Sequence, residues 1–164
     1  MALRYDDGGT MKRILIAVDE TKGTKNAFSG CTLFCSCISP EAIILVYVEK
    51  LEGRSLMDDQ LLSVSEMQTL KDVLEGTEYQ EALDKKADAI VGYYKKALED
   101  RGLTGVRTII KKGHPAEEIL NAAREEKADM IIVGARGRRT THLFMGSVSR
   151  EVANTADIPV LIMK

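Results

Sequence analysis

Two glycine-containing turns follow a short apolar stretch, residues 130–133, in the C-terminal half of the chain. The first turn holds Gly134 and Gly137, and the second opens a helical pattern at Gly146 and Ser147. Glycine lacks a Cβ atom, so nearby backbone amides can approach a ligand closely and the backbone can adopt positive φ angles. The first amides of a helix are unpaired and carry a partial positive charge. Together these features predict an anion site that holds the phosphates of a nucleotide.

Charged side chains accompany both ends of this pattern. Arg136, Arg138 and Arg139 lie in the loop between the two turns, and guanidinium groups favour a polyphosphate ligand. The same arginines are equally typical of a solvated loop, because arginine is mostly exposed in proteins. Asp19 follows an earlier apolar stretch, where it could contact a ligand or cap the next helix. The sequence leaves these alternatives open.

No set of side chains suited to efficient catalysis is apparent. The chain has no GxxxxGK[ST] motif and no second acidic cluster for a strong magnesium site. Phosphoryl transfer requires a positioned nucleophile, and we find neither such a residue nor a Ser-His-Asp or Cys-His arrangement. Glu117 and Glu118 are adjacent, so on a helix they point in different directions. We therefore expect no catalytic residues and no protein-held metal, and a regulatory nucleotide-binding protein rather than an efficient enzyme.

Three cysteines lie in one segment, and two of them, Cys31 and Cys35, would share a face of a helix. Their spacing does not match a zinc motif. The only histidines, His114 and His142, are far away in the sequence. Free cysteine packs as a small hydrophobic residue, so we expect this segment, Cys37 included, to contribute to the core.

Length and charge narrow the class of protein. A chain of 164 residues is typical of one domain, and this size buries a core without disulfides or metals. The net charge of -2 argues against general nucleic-acid binding. No apolar run approaches the roughly 20 residues of a membrane-spanning helix, and the N-terminus lacks the apolar core of a signal peptide. We expect a cytoplasmic protein with no membrane association.

Apolar stretches and helical periodicities alternate along the chain. Thr21 is a candidate N-cap, Gly102 is suited to end a helix, and Pro115 fits a first helical turn. Tyr93 and Tyr94 are expected to pack in the core and at its boundary rather than to form a site. The pattern predicts an α/β fold, an open five-stranded parallel sheet with helices on both faces. The expected strands are 14–18, 42–48, 106–110, 130–133 and 158–163, and the expected helices are 22–37, 78–101, one beginning at 115, and 147–156.

Two segments fall outside this regular pattern. Residues 1–11 are interpreted as a flexible leader that precedes a single domain, residues 12–164. Residues 50–77 have a helical composition, with Leu70, Val73 and Leu74 at helical spacing. They could form an amphipathic helix or lid, or equally a solvated connector.

Three candidate features are expected to meet in space. Open α/β sheets bind ligands beyond the carboxyl ends of their strands, where the strand order reverses. Asp19 follows the first predicted strand, Val48 ends the second, and the glycine turns follow the fourth. Although they are far apart in sequence, they should converge at this edge of the sheet.

Over residues 12–164 the sequence resembles the nucleotide-binding branch of the universal stress protein family. The resemblance is carried by ILIAVDETKGTKNAF, ILVYV, GHPAEEILNAAREEKADMIIVGARG and GSVSREVANTADIPVLIMK. The family motif is glycine, two residues, glycine, nine residues, then glycine with serine or threonine. Gly134, Gly137, Gly146 and Ser147 match it, with eight residues in place of the nine. The resemblance implies a Rossmann-like fold of the adenine-nucleotide alpha hydrolase type.

The resemblance also implies which residues bind the ligand. Asp19 should bind adenosine through its carboxylate, with the backbone of Ala17 and Val18 beside it, and Val48 should meet the adenine. The other implied residues supply amides, hydroxyl groups, charge or clearance around the phosphates. They are Val133, Gly134, Arg136, Gly137, Gly146, Ser147, Val148 and Ser149.

The function implied by the resemblance is a stress-response regulator that binds ATP, ADP or AMP, and Mg²⁺ could accompany the nucleotide. The family commonly dimerises through its last strand, here residues 158–163. This strand is apolar and could form an unpaired edge, although Pro159 would limit pairing at one end. Two alternatives remain, a slow ATPase and a dimeric interaction module that does not depend on a nucleotide. The sequence does not identify a downstream protein partner.

Overall fold

A computed structural model describes residues 11–50, 69, 76–135 and 145–164. Strands and helices alternate along these parts of the chain, as predicted. None of the described helices is long and apolar enough to cross a membrane. The elements are β1 (Arg13–Ala17), α1 (Lys22–Ile38), β2 (Ala42–Glu49), α2 (Glu78–Glu99), β3 (Val106–Lys112), α3 (Pro115–Glu125), β4 (Met130–Gly134), α4 (Ser147–Thr155) and β5 (Val160–Met163).

The described strands form one five-stranded parallel sheet in the order β3-β2-β1-β4-β5. Ile16 of β1 lies beside Leu45 on one side and Ile132 on the other. From β1 the chain builds outward through β2 and β3, and then returns to add β4 and β5 on the opposite side. The strand order therefore reverses between β1 and β4, which confirms the predicted fold class.

Helices cover both faces of the sheet because successive strand residues point to opposite sides. Ile14 and Ile16 face the layer formed by α1 and α2, whereas Leu15 faces α3 and α4. All four central residues of β4, from Met130 to Val133, are buried. This double burial explains why the strands are continuous apolar runs rather than alternating ones.

The helix starts follow the sequence signals. Thr21 caps α1 by accepting a hydrogen bond from the amide of Thr24 (3.3 Å). Thr77 caps α2 in the same way through the amide of Gln80 (3.2 Å). Pro115 occupies the first turn of α3. The two threonine hydroxyls accept hydrogen bonds from amides that a helix start would leave unpaired. Pro115 has no amide hydrogen that would need an acceptor.

The end of α2 is also held by local hydrogen bonds. Gly102 has a φ of +78°, and its amide donates to the carbonyl of Glu99 (2.9 Å). The amide of Leu103 donates to the carbonyl of Leu98 (3.2 Å). The left-handed conformation needed here favours glycine. Helix α2 therefore ends at Glu99, two residues before the predicted boundary at 101.

Several other boundaries differ from the predictions by one or two residues, and two of these differences bear on the site. Val48 lies inside β2, which continues to Glu49. Strand β5 begins at Val160 rather than at 158. Pro159 has no amide hydrogen to donate to the ladder, and it contributes only its carbonyl, which accepts from the amide of Ile131 (3.0 Å).

The cysteines divide between core and surface. Cys31 and Cys35 are buried on the face of α1 that packs against the sheet, whereas Cys37 is exposed. The prediction of a core position was therefore wrong for Cys37, because its place on the helix turns it away from the sheet. The thiol hydrogen bond with Cys35, and burial, raise the pKa of Cys31.

Some predictions lie outside the described residues. These are the structure of residues 1–10 in the predicted leader, that of residues 51–68 and 70–75 in the segment 50–77, and the placement of residues 136–144. Met11, at the end of the predicted leader, packs against the cluster between the sheet and α1 and α2. The division into a leader and a single domain stays a prediction.

Candidate functional site

The described candidate residues lie on elements that meet at the carboxyl edge of the sheet. Ala17 ends β1 beside Val46 of β2, and the amide of Val18 continues this pairing by donating to the carbonyl of Val46 (2.9 Å). The side chains of Ala17, Val48, Val133 and Val148 belong to the cluster between the sheet and α3 and α4. The structure therefore brings β1, β2, β4 and the start of α4 around one region.

A crevice opens at the point where the strand order reverses. It is lined by Ala17 at the end of β1 and by Val133 and Gly134 at the end of β4. Met163 of β5 and the residues Thr24, Ala27, Phe28 and Cys31 of α1 form much of the remaining wall, so the crevice lies between α1 and the sheet. A ligand bound beyond the strand ends at this point would contact residues from both halves of the sheet, as in other open α/β folds.

Asp19 organises the turn between β1 and α1. Its Oδ1 atom accepts hydrogen bonds from the amide (2.8 Å) and the hydroxyl (2.5 Å) of Thr21. Thr21 is itself the N-cap of α1, so Asp19 supports the capping residue and is not the cap. No described residue donates a hydrogen bond to the Oδ2 atom of Asp19. This oxygen is available as an acceptor at the edge of the sheet.

The loop between β4 and α4 is closed by two backbone hydrogen bonds. The amide of Ala135 donates to the carbonyl of Met163 (2.7 Å), and the amide of Gly146 donates to the carbonyl of Ala135 (2.7 Å). These bonds hold the end of β4, the end of β5 and the start of α4 together. Arg136 and Gly137, predicted to contact the phosphates, lie outside the described residues.

The start of α4 has open amide groups. Its N-cap, Gly146, makes no side-chain cap hydrogen bond, and no acidic residue occupies the first turn. The amides of Ser147, Val148 and Ser149 have no acceptor among the described residues. By contrast, the first turn of α3 carries the carboxylates of Glu117 and Glu118. An anion at α4 would accept hydrogen bonds from amides that have no acceptor in the described part of the chain.

Ser149 has a structural hydrogen bond of its own. The residue is 3% exposed, and its hydroxyl donates to the carbonyl of Gly146 (3.0 Å). In this arrangement the hydroxyl hydrogen is used inside the turn. Donation from this hydroxyl to a ligand stays a prediction, and it would require the hydrogen to exchange its acceptor. Ser147, in contrast, is exposed.

The two described glycines of the motif do not use their conformational freedom. Gly146 has a φ of -70°, and Gly134 is an extended residue of β4, so neither adopts the positive φ that the sequence analysis considered. Any residue type can adopt these backbone angles. A need for positive φ therefore does not explain glycine at either position.

A polar cluster beyond the ends of β2 and β3 was not predicted from the sequence. Glu49 is 4% exposed, and its Oε1 accepts from Nε2 of Gln80 (3.2 Å). Its Oε2 accepts no hydrogen bond from the described residues and lies 3.8 Å from Nζ of Lys112. Hydrogen bonds from Lys112 and Gln80 lower the pKa of Asp84, which joins the cluster. The available signal was a carboxylate directly after a buried strand.

Comparison with known proteins places the chain in a family. The model of the universal stress protein family matches residues 39–164, most of the chain. The universal stress protein MJ0577 of Methanocaldococcus jannaschii is 30% identical over 155 residues, which cover 93% of this chain and 94% of that protein. The chain belongs to the universal stress protein family. The solved structure of MJ0577 matches this universal stress protein with a TM-score of 0.73 and 26% identity, over 94% of this chain and 96% of that one.

Two other universal stress protein structures share the fold. One, described as a complex with cAMP, has a TM-score of 0.63 and 17% identity, over 93% of this chain and 96% of that one. The other, from Archaeoglobus fulgidus and in complex with dAMP, has a TM-score of 0.54 and 17% identity, over 93% of this chain and 98% of that one. The parallel sheet is therefore that of the universal stress proteins.

Proposed function

We propose that this universal stress protein binds an adenine nucleotide at the carboxyl edge of its sheet, where the strand order reverses. The observation that carries the proposal is the start of α4, where the amides of Ser147, Val148 and Ser149 are open and uncapped. Support also comes from the structures of family members in complex with cAMP and dAMP. The ligand we favour is ATP, with ADP and AMP as alternatives.

Each end of the nucleotide has a candidate partner. The open amides of α4, with the space at Gly134 and Gly146, suit the phosphates because unpaired amides and the helix dipole both favour negative charge. The half-buried Val48 offers apolar surface for adenine. The Oδ2 atom of Asp19 offers an acceptor for a donor group of the adenosine. Any Mg²⁺ would be bound with the phosphates and supply charge neutralisation there.

Regulation rather than catalysis is the function that we infer for the bound nucleotide. Asp19 has one oxygen committed to Thr21, and no described residue of the edge forms a nucleophile and base pair. The proposed output is a stress response that depends on nucleotide occupancy. A slow ATPase is the second candidate, and sustained phosphate release that is lost on Gly134→Val would favour it.

A homodimer is the proposed assembly. Strand β5 lies at one end of the sheet order, and its residues Val160–Met163 are only partly buried. Apolar edge strands of this kind associate with other strands. Light scattering of the full chain should report twice the monomer mass, whereas a monomer mass at high concentration would contradict the dimer.

Release of bound nucleotide tests the proposed function. Purified protein is denatured, and the supernatant is separated by chromatography to detect ATP, ADP or AMP. The same protein, stripped of ligand and refolded, is titrated with ATP by calorimetry. We expect released nucleotide or a saturable binding heat. An empty supernatant together with a flat titration against ATP, ADP and AMP would favour the nucleotide-independent interaction module.

A further inference from the structure

Asp19 is held from two sides by residues of different elements. Thr21 fixes the carboxylate, since both its amide and its hydroxyl donate to Oδ1. Tyr94, in the middle of α2, donates its hydroxyl to the main-chain carbonyl of Asp19 (2.9 Å). The second carboxylate oxygen, Oδ2, has no donor among the described residues. The turn therefore presents a single oxygen in a fixed direction.

The hydroxyl of Tyr94 has little freedom to move. The side chain is 1% exposed, and its ring packs against those of Phe28 (4.5 Å between centroids) and Tyr93 (5.2 Å). A buried tyrosine hydroxyl needs a hydrogen-bond partner, and the carbonyl of Asp19 is that partner. Burial, and then the charge of Asp19, raise the pKa of Tyr94. The phenol consequently remains a donor throughout the physiological pH range.

We propose that Tyr94 and Thr21 are positioning residues, which aim the Oδ2 atom of Asp19 at one hydrogen-bond donor of the bound nucleoside. Tyr94 acts through the carbonyl of Asp19 and Thr21 acts through its carboxylate. The inference rests on the proposed function. Since Oδ1 already accepts two hydrogen bonds, Oδ2 is the oxygen left for a ligand donor. That donor is either the exocyclic amino group of adenine or a ribose hydroxyl.

Removal of one hydroxyl group tests the role of Tyr94. Tyr94→Phe keeps the ring packing, and Tyr93→Phe is the matched control, because Tyr93 is 59% exposed and its hydroxyl makes no hydrogen bond with the described residues. ATP titration of the full chain should show about three- to tenfold weaker binding for Tyr94→Phe, as expected for one hydrogen bond. Tyr93→Phe should bind like the wild type. Equal affinities for the two variants would overturn the inference.

A double-mutant cycle separates positioning from a general effect on the fold. In an Asp19→Ala background the carboxylate is absent, so Tyr94→Phe should weaken ATP binding no further. An equal additional loss in both backgrounds would show that Tyr94 acts elsewhere, and would overturn the inference. If the wild-type protein binds no adenine nucleotide, the proposed function fails and the inference fails with it. If the wild type binds but the cycle shows no coupling, only the inference fails.

Nucleotide analogues identify the donor that Asp19 recognises. The wild type and Tyr94→Phe are titrated with 2′-deoxy-ATP, 3′-deoxy-ATP and ITP, which lack one ribose hydroxyl each or the amino group. We expect one analogue to bind more weakly than ATP to the wild type, and this difference to shrink in Tyr94→Phe. If the wild type binds all three analogues as tightly as it binds ATP, the assignment of a single donor is overturned.

Discussion

The amide of Gly146 donates to the carbonyl of Ala135 at 2.7 Å, and this bond joins the end of β4 to the start of α4. Ala135 is fixed in turn by its own amide, which donates to Met163 (2.7 Å). The start of α4 is therefore held beside the ends of β4 and β5 by these backbone contacts.

A side chain at Gly146 should block the phosphates. The backbone angles of Gly146 suit any residue, so Gly146→Val keeps the turn geometry while it fills space at the anion site. We expect binding of ATP to be abolished in calorimetry. Gly92→Ala is the control, because Gly92 is helical and open space surrounds its Cβ position. This control should gain about 0.5–1 kcal/mol in stability and bind ATP normally, whereas normal binding by Gly146→Val would contradict the site.

Asp129 should stabilise the opposite edge of the sheet without affecting the ligand. Its Oδ2 accepts hydrogen bonds from the amides of Lys12 (2.9 Å) and Arg13 (2.8 Å) at the start of β1. Asp129→Ala leaves both amides without this acceptor, and we expect a loss of about 2 kcal/mol in the free energy of unfolding, measured by urea denaturation.

The matched control for that change is Asp157→Ala. Asp157 forms a surface pair with Arg124 at 3.7 Å, and both side chains are more than half exposed, so its loss should cost less than about 0.5 kcal/mol. Both variants should bind ATP like the wild type, because neither residue lies at the carboxyl edge. Similar losses in the free energy of unfolding for the two variants would show that the hydrogen bonds of Asp129 stabilise the fold no more than a surface ion pair does.

Lys112 should stabilise the buried carboxylate of Glu49. The side chain of Lys112 is 37% exposed and that of Glu49 is 5% exposed. Nζ of Lys112 lies 3.8 Å from Oε2 of Glu49. Breaking a fully buried pair costs about 3–5 kcal/mol, so we expect about 1–2 kcal/mol for Lys112→Met at this partly solvated site. Chemical denaturation provides the measurement. Adding Glu49→Gln should restore part of the loss, and no recovery would indicate that the charge of Glu49 is not the cause.

Stability should fall at alkaline pH through the buried tyrosines. Burial is the largest cause that raises the pKa values of Tyr47 and Tyr94 above their ordinary value of 10.0. Above about pH 10 the unfolded chain loses these protons while the folded protein keeps them, so the folded state becomes relatively less stable as the pH rises. Below pH 10 both states are protonated and this contribution is constant.

The difference between the wild type and Tyr94→Phe isolates one of these groups. Thermal unfolding between pH 8 and 11 should show a shallower loss of stability for Tyr94→Phe. Parallel curves for the wild type and Tyr94→Phe would contradict a raised pKa of Tyr94.

The strand and helix pattern was predictable because local signals agree with burial. Residues 130–133 form a continuous apolar run, and such a run is buried on both faces in a parallel sheet. Thr21 and Pro115 mark helix starts by chemistry that acts within a few residues. The open amides at Ser147 were also predictable, since every helix start has them.

Contacts between distant residues could not be predicted in the same way. Tyr94 and Asp19 are 75 positions apart, and nothing in the local sequence shows that α2 crosses the β1–α1 turn. Burial of Glu49 contradicts the usual exposure of charged residues, and depends on Gln80 and Lys112 from other elements. The sequence analysis expected Pro159 to limit pairing, but not that its carbonyl accepts from the amide of Ile131 in β4.

The most direct test of the nucleotide site is the removal of one amide hydrogen. Ser147 is the first residue of α4, a position that proline favours because its missing amide hydrogen is not needed for the helix. Gly146, with φ -70° and ψ 161°, already has the extended conformation required before proline. Ser147→Pro should therefore fold with unchanged stability, while Ser147→Ala removes only the hydroxyl and keeps the amide.

Isothermal titration with ATP compares the wild type, Ser147→Pro and Ser147→Ala. We predict that Ser147→Pro binds ATP at least about tenfold more weakly than Ser147→Ala, because hydrogen bonds to a charged group are worth about 1.5–3 kcal/mol. Equal affinities of the two variants, at equal melting temperatures, would contradict phosphate binding at the start of α4.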